Sequence, residues 1–222
     1  QTHLPPLRSD FERRFGKGVG FVCEDGLELD LHRLLVPGYF GHRLDPHSLF
    51  QDARTFSLAG RQVLTLAPEL HLLHACYHAA IGHVTRLVSL RDVAELVITA
   101  DVDTNHVVGL AAEWDGEAVV ARAVRLTWDL LGLEEEHSLA AWAESYVPSE
   151  ADRRRMAAYQ GARAREASRG FDALSGIPGL RGRLAFLRAM LFPDREYLEA
   201  IATGRLGWLQ RGASSLWKGI RA

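Results

Sequence analysis

From Leu27 to His32 apolar and ionisable residues alternate without a break, Leu27, Leu29 and Leu31 against Glu28, Asp30 and His32. A period of two belongs to a strand whose faces are segregated. The run Gly18-Val19-Gly20-Phe21-Val22-Cys23 precedes it across Glu24-Asp25-Gly26. An Asp-Gly step between apolar-rich runs predicts a hairpin. Residues 1–16 are polar and contain prolines, and a loop marked by Pro37, Gly38, Gly41 and Pro46 follows the hairpin. A second hairpin is predicted over 55–58 and 62–66, around Ala59-Gly60-Arg61.

Pro68 suits a first helical turn, and from there the pattern is helical. The predicted helices are 68–82, 87–99, 104–114, 117–131, 134–145, 150–168, 180–191, 194–203 and 206–220. Ser149 and Asp152 have the spacing of a capping box. Gly132, Gly170 and Gly204 suit helix ends, and Gly176-Ile177-Pro178-Gly179 is a breaker. There is no repeat period and no low-complexity segment. The expectation is an α+β chain: a small mixed or antiparallel sheet in residues 1–66, then a larger helical domain over 67–222.

With 222 residues, 47% hydrophobic and 24% charged, the chain can bury a sizeable core, which argues against long disorder or a collagen-like chain. No apolar run approaches the roughly 18 residues of a membrane span, and no charged-then-apolar leader opens the sequence. Cys23 and Cys76 are too few for a disulfide framework, so a reducing cytoplasm is expected. The sequence begins at Gln1, so preceding sequence is expected too. Charge divides unevenly: residues 1–150 carry 12 basic and 22 acidic side chains, residues 151–222 carry 14 and 6. The basic C-terminal part either offers a surface to nucleic acid or phosphate, or folds back on the acidic part.

Two constellations can carry chemistry. Glu28, Asp30 and His32 share one strand face, and carboxylates two apart suit Mg²⁺ held together with substrate phosphates. The alternative is the solvated face of an antiparallel sheet. The second is the helix bearing His71, His74 and His78, at i, i+3 and i+7. His74 and His78 have the spacing of two zinc ligands with Asp92 as a carboxylate partner, but no Glu follows His74 and the ligand set is incomplete, so zinc is not expected. The other reading is histidines bridging packed helices or lining a polar cleft. Arg86 and Arg91 either supply positive charge to a phosphate or pair with Asp92. Asp101-Val102-Asp103 looks like an acidic metal pair, yet Asp103 precedes a predicted helix and reads as its N-cap.

Several segments then fit one pattern: Gly16-Lys17-Gly18-Val19, Gly26 through Arg33, Leu72-Leu73-His74-Ala75-Cys76-Tyr77-His78-Ala79, Arg86 through Ala94, and Leu191 through Leu198. Together, over roughly residues 15–200, the sequence resembles the bacterial "uncharacterised nucleotidyltransferase" family, a branch of the polymerase-β-like superfamily. The resemblance implies a partial nucleotidyltransferase sheet followed by helices. It implies transfer of a nucleoside monophosphate from a nucleoside triphosphate to an acceptor, with Mg²⁺ as cofactor. In that superfamily three carboxylates hold two metal ions, which stabilise the phosphoryl charge. Asp30 matches the third carboxylate, as catalytic residue and metal ligand. Glu28, His32 and Lys17 fall on the cofactor side, with His74, His78, Arg91 and Asp92 as further candidates.

The Gly-Ser turn and the strand-borne Asp-x-Asp that the superfamily places ahead of the third carboxylate do not precede Asp30 here. Residues 1–222 are therefore expected to be inactive alone, with activity conditional on upstream sequence. The competing reading is a non-catalytic module whose helical domain recognises a small molecule, peptide or RNA. No membrane partner is expected.

Overall fold

The computed structural model describes residues 5–44, 47–81, 86–159, 173–201 and 207. It is α+β: two separate antiparallel hairpins and a larger helical part. By contact the chain divides into two compact units, residues 1–43 with 165–222, and residues 44–164.

In the first unit, α1 (Phe11–Phe15) leads into β1 (Gly18–Val22) and β2 (Glu28–His32), then α2 (Tyr39–Arg43). Both short helices fall where the sequence pattern showed only polar or loop character. Five residues are too few for a helical period to register. Later in the chain come α9 (Leu180–Leu191) and α10 (Arg195–Ala200). Phe11, Phe15 and Phe186 form an aromatic triangle with centroids 5.2–5.8 Å apart, packed on Ala173 and Ile177. The Leu191–Leu198 segment has a structural task. Asp194 Oδ2 accepts from the Ser9 amide, its own amide donates to the Leu7 carbonyl, and Arg8 donates to the Phe192 carbonyl.

The second unit opens with a 3₁₀ turn at Ser48–Phe50 and the hairpin β3 (Arg54–Leu58) and β4 (Arg61–Thr65). Ala59 (φ 49°) and Gly60 (φ 77°) turn it, both in the left-handed region of a two-residue hairpin loop. Then come α3 (Pro68–Ala80), α4 (Leu87–Thr99), α5 (Thr104–Glu113), α6 (Glu117–Leu131), α7 (Ser138–Ser145) and α8 (Glu150–Ala157). α6 is the hub, with α3, α4, α5, α7 and α8 against it. It buries Ala118–Val124 almost continuously, while Leu72, Leu73, Leu90, Val93 and Leu139 are fully buried around it. Gly116 caps α6 where a Cβ would lie 2.1 Å from the buried Tyr77 hydroxyl, so only glycine fits the approach.

The helix ends follow local chemistry. Asp103 caps α5, accepting from the Asn105 and His106 amides, so it is a cap and not half of a metal pair. Ser149 and Asp152 form the complete capping box. Gly132 ends α6 at φ 63°. α7 starts at Ser138, four residues later than expected: His137 Nδ1 accepts from the Leu139 amide, leaving the three successive glutamates before it outside the helix. α8 ends at Ala157, with Ala158 as its C-cap, short of the predicted 168. Residues 160–168, the cap residues Gly170 and Gly204, and helix 206–220 apart from residue 207 lie outside the described residues. Among the described residues, no helix is long and apolar enough to cross a membrane.

Candidate functional site

β1 and β2 pair so that Gly18 faces His32, Gly20 faces Asp30 and Val22 faces Glu28. Directly opposed residues share a sheet face, so Glu28, Asp30 and His32 stand together with two glycines opposite them. The other face carries Val19, Phe21, Leu29 and Leu31, all exposed. Gly18 leaves room for the His32 ring: a Cβ there would lie 2.9 Å from His32 Cδ2 and 2.6 Å from the Leu31 carbonyl oxygen. At Gly20 there is open space. The face is thus bare backbone beside a carboxylate, the arrangement that lets a ligand approach a sheet closely. The alternation Gly18-Val19-Gly20 carried this signal in the sequence, but only the register shows that the glycines oppose Asp30 and His32.

Asp30 Oδ2 lies 2.7 Å from His32 Nε2. The Asp30 side chain is 68% exposed and the His32 side chain 30%. The carboxylate is therefore oriented by one imidazole contact, with its second oxygen open. Lys17 precedes β1, and its carbonyl accepts from the Arg33 and Leu34 amides. Arg33 in turn donates to the Gly16 carbonyl. Mg²⁺ binds through one or two carboxylates plus phosphate oxygens and water. Asp30, with Glu28 two residues away, fits that donor set for a single ion. A two-ion site needs more carboxylates than this face holds.

In the second unit, His71, His74 and His78 of α3 and Ser89, Asp92 and Glu95 of α4 line a cavity of about 500 Å³. The His74 and His78 rings meet edge-on, 4.5 Å between centroids. Arg91 Nη2 donates to Asp92 Oδ1 at 2.8 Å, so this arginine spends charge on its neighbour. Among the described residues no group of three or more His, Cys, Asp or Glu is placed to hold a metal ion. Cys76, on the same helix, is buried, and burial pushes its thiol up to about 12, which keeps it protonated and inert.

The chain thus places an acidic strand in a small hairpin ahead of a larger helical part. The model of the family described as uncharacterised nucleotidyltransferase matches residues 3–132, more than half of the sequence. The chain belongs to that family. The match includes both hairpins, the histidine helix and α6; the Leu191–Leu198 segment lies beyond it. No curated protein and no solved structure matches the chain.

Proposed function

We propose that the β1–β2 face is the third-carboxylate part of a nucleotidyl-transfer site, with Asp30 as the Mg²⁺ ligand. The reaction is attack by an acceptor hydroxyl on the α-phosphorus of a nucleoside triphosphate. The new O–P bond replaces the bond to the β-phosphate, pyrophosphate leaves, and the proton of the acceptor hydroxyl is released to solvent. The observation that carries the reading is Asp30 on an exposed strand face, opposite the open backbone of Gly20, within the family match.

His32 holds one Asp30 oxygen and fixes the carboxylate plane, and the other oxygen would be the one to hold the cation. Glu28 contributes a second negative group at the same face. Lys17 supplies positive charge for the triphosphate. Bound Mg²⁺ would neutralise charge on the phosphate oxygens, the largest share of the stabilisation that phosphoryl transfer needs. One firm carboxylate supports weak Mg²⁺–nucleotide binding and not catalysis, so residues 1–222 alone are expected to be inactive. Turnover then requires an Asp-x-Asp strand supplied from elsewhere.

Incubation with α-labelled nucleoside triphosphates, Mg²⁺ and a cell extract tests this. No label should be transferred by residues 1–222. Transfer that Asp30→Ala abolishes would show that this chain supplies the remaining ligands itself.

A further inference from the structure

We propose that the groove between α6 and α8 binds a small organic anion, an acidic head group on an apolar body, with Arg122 as its principal contact. The inference does not depend on the role of Asp30. The cavity measures about 390 Å³, within the range of small-molecule sites, about 300–1,000 Å³. Its polar lining is Arg122, Arg125, Arg153, Asp129 and Tyr146, three guanidinium groups against one carboxylate and one phenol. Leu126, Pro148 and Met156 supply apolar wall.

The three arginines are not equivalent. Arg125 Nε donates to the Ala143 carbonyl at 2.7 Å and its Nη2 to the Tyr146 carbonyl, which ties α6 to the end of α7. Arg153 bonds Glu150 through Nε and Nη2 and the Pro148 carbonyl through Nη1. Both are anchored by the protein itself. Among the described residues Arg122 makes no hydrogen bond or ion pair, and its Nε is buried without an acceptor.

The neighbouring carboxylates of α8 are spent elsewhere. Glu150 takes Arg153 and Arg154, and Asp152 takes Ser149, Arg155 and the Tyr146 hydroxyl. The buried Nε donor of Arg122 is thus left unmet by the neighbouring carboxylates of α8. Buried polar groups are nearly always paired, and an exception calls for an explanation. A carboxylate or phosphate head accepting from the planar fork supplies the missing partner. The apolar walls then select heads that carry a hydrocarbon or aromatic body over inorganic ions.

Titration calorimetry on residues 1–222, with the Met156 methyl resonance as a local reporter, tests the site. The probes are phenyl phosphate and phenylacetate, which separate the two head groups, together with inorganic phosphate and benzyl alcohol. At least one aromatic anion should bind one site and shift Met156. Benzyl alcohol and inorganic phosphate should bind about tenfold more weakly or not at all, and Arg122→Gln should weaken the anion about tenfold, the effect of losing a charged hydrogen bond. Arg122→Lys keeps the charge and stem, and covers the case in which the glutamine variant fails to fold. It should weaken binding several-fold because the fork is lost. Failure of both aromatic anions to saturate by about 10 mM overturns the proposal. So does unchanged binding in a folded Arg122 variant, or inorganic phosphate binding as tightly as phenyl phosphate.

Discussion

His42, on α2, carries a pH signature within the range where histidine titrates. Burial, and then the charge of Arg33, push its imidazole down from 6.5 to about 4. The unfolded chain takes up a proton near the ordinary histidine value, while the folded chain resists until near 4. Stability therefore rises with pH across that window and is lost as pH falls through it. Urea midpoints measured from pH 7 to pH 4.5 should fall, and His42→Gln should flatten part of the decline. An unchanged slope in that variant would remove His42 from the account. Gly116 makes a different kind of prediction. A methyl group there meets Tyr77 in a filled core, so Gly116→Ala should cost about 1–3 kcal/mol by denaturant unfolding. At this scale the sequence was legible where chemistry is local. Asp103 and the Ser149–Asp152 box were readable because a cap involves residues two or three apart. The isolation of Arg122 and the burial of His42 were not, since both depend on what distant elements place beside them.

Several of the longer helices were readable to the residue, whereas α7 begins four residues late and α8 stops at Ala157. α4, α6 and α9 fall on 87–99, 117–131 and 180–191 as the pattern has them. α1 and α2 went unseen because five residues hold little more than one turn. The hairpins were readable from alternation and turn chemistry, with β3 and β4 each beginning one residue earlier than the apolar run suggests. What alternation cannot tell is whether an apolar face is covered. Leu73 of α3 is fully buried, whereas Leu29 of β2 is 57% exposed. Leu73→Ala should therefore cost about 2–5 kcal/mol through transfer and cavity terms. Leu29→Ala should stay within about 0.5 kcal/mol, as surface changes do. Equal losses in chemical denaturation would mean that the β1–β2 hairpin packs against something after all. Among the described residues each hairpin is a sheet of two strands, and such a pair is marginal by itself in water.

The whole molecule shows what a linear reading cannot reach. Its first unit is assembled from both ends of the chain: the Ser9 amide and Asp194, 185 positions apart, hydrogen-bond each other. No periodicity carries a pairing over that separation. Family membership was legible one step further than topology, because the ordered motifs resembled the family whose model matches residues 3–132. In the proposed site Asp30 is a carboxylate on a strand, contacted by His32 and facing open backbone at Gly20. The most direct test is nucleotide binding by wild type and Asp30→Asn, with and without Mg²⁺, followed by backbone resonances of β1 and β2. The account predicts weak ATP binding that requires Mg²⁺, shifts Gly20 and is lost in Asp30→Asn while the fold is kept. ATP binding of equal strength without Mg²⁺ and in Asp30→Asn would contradict it.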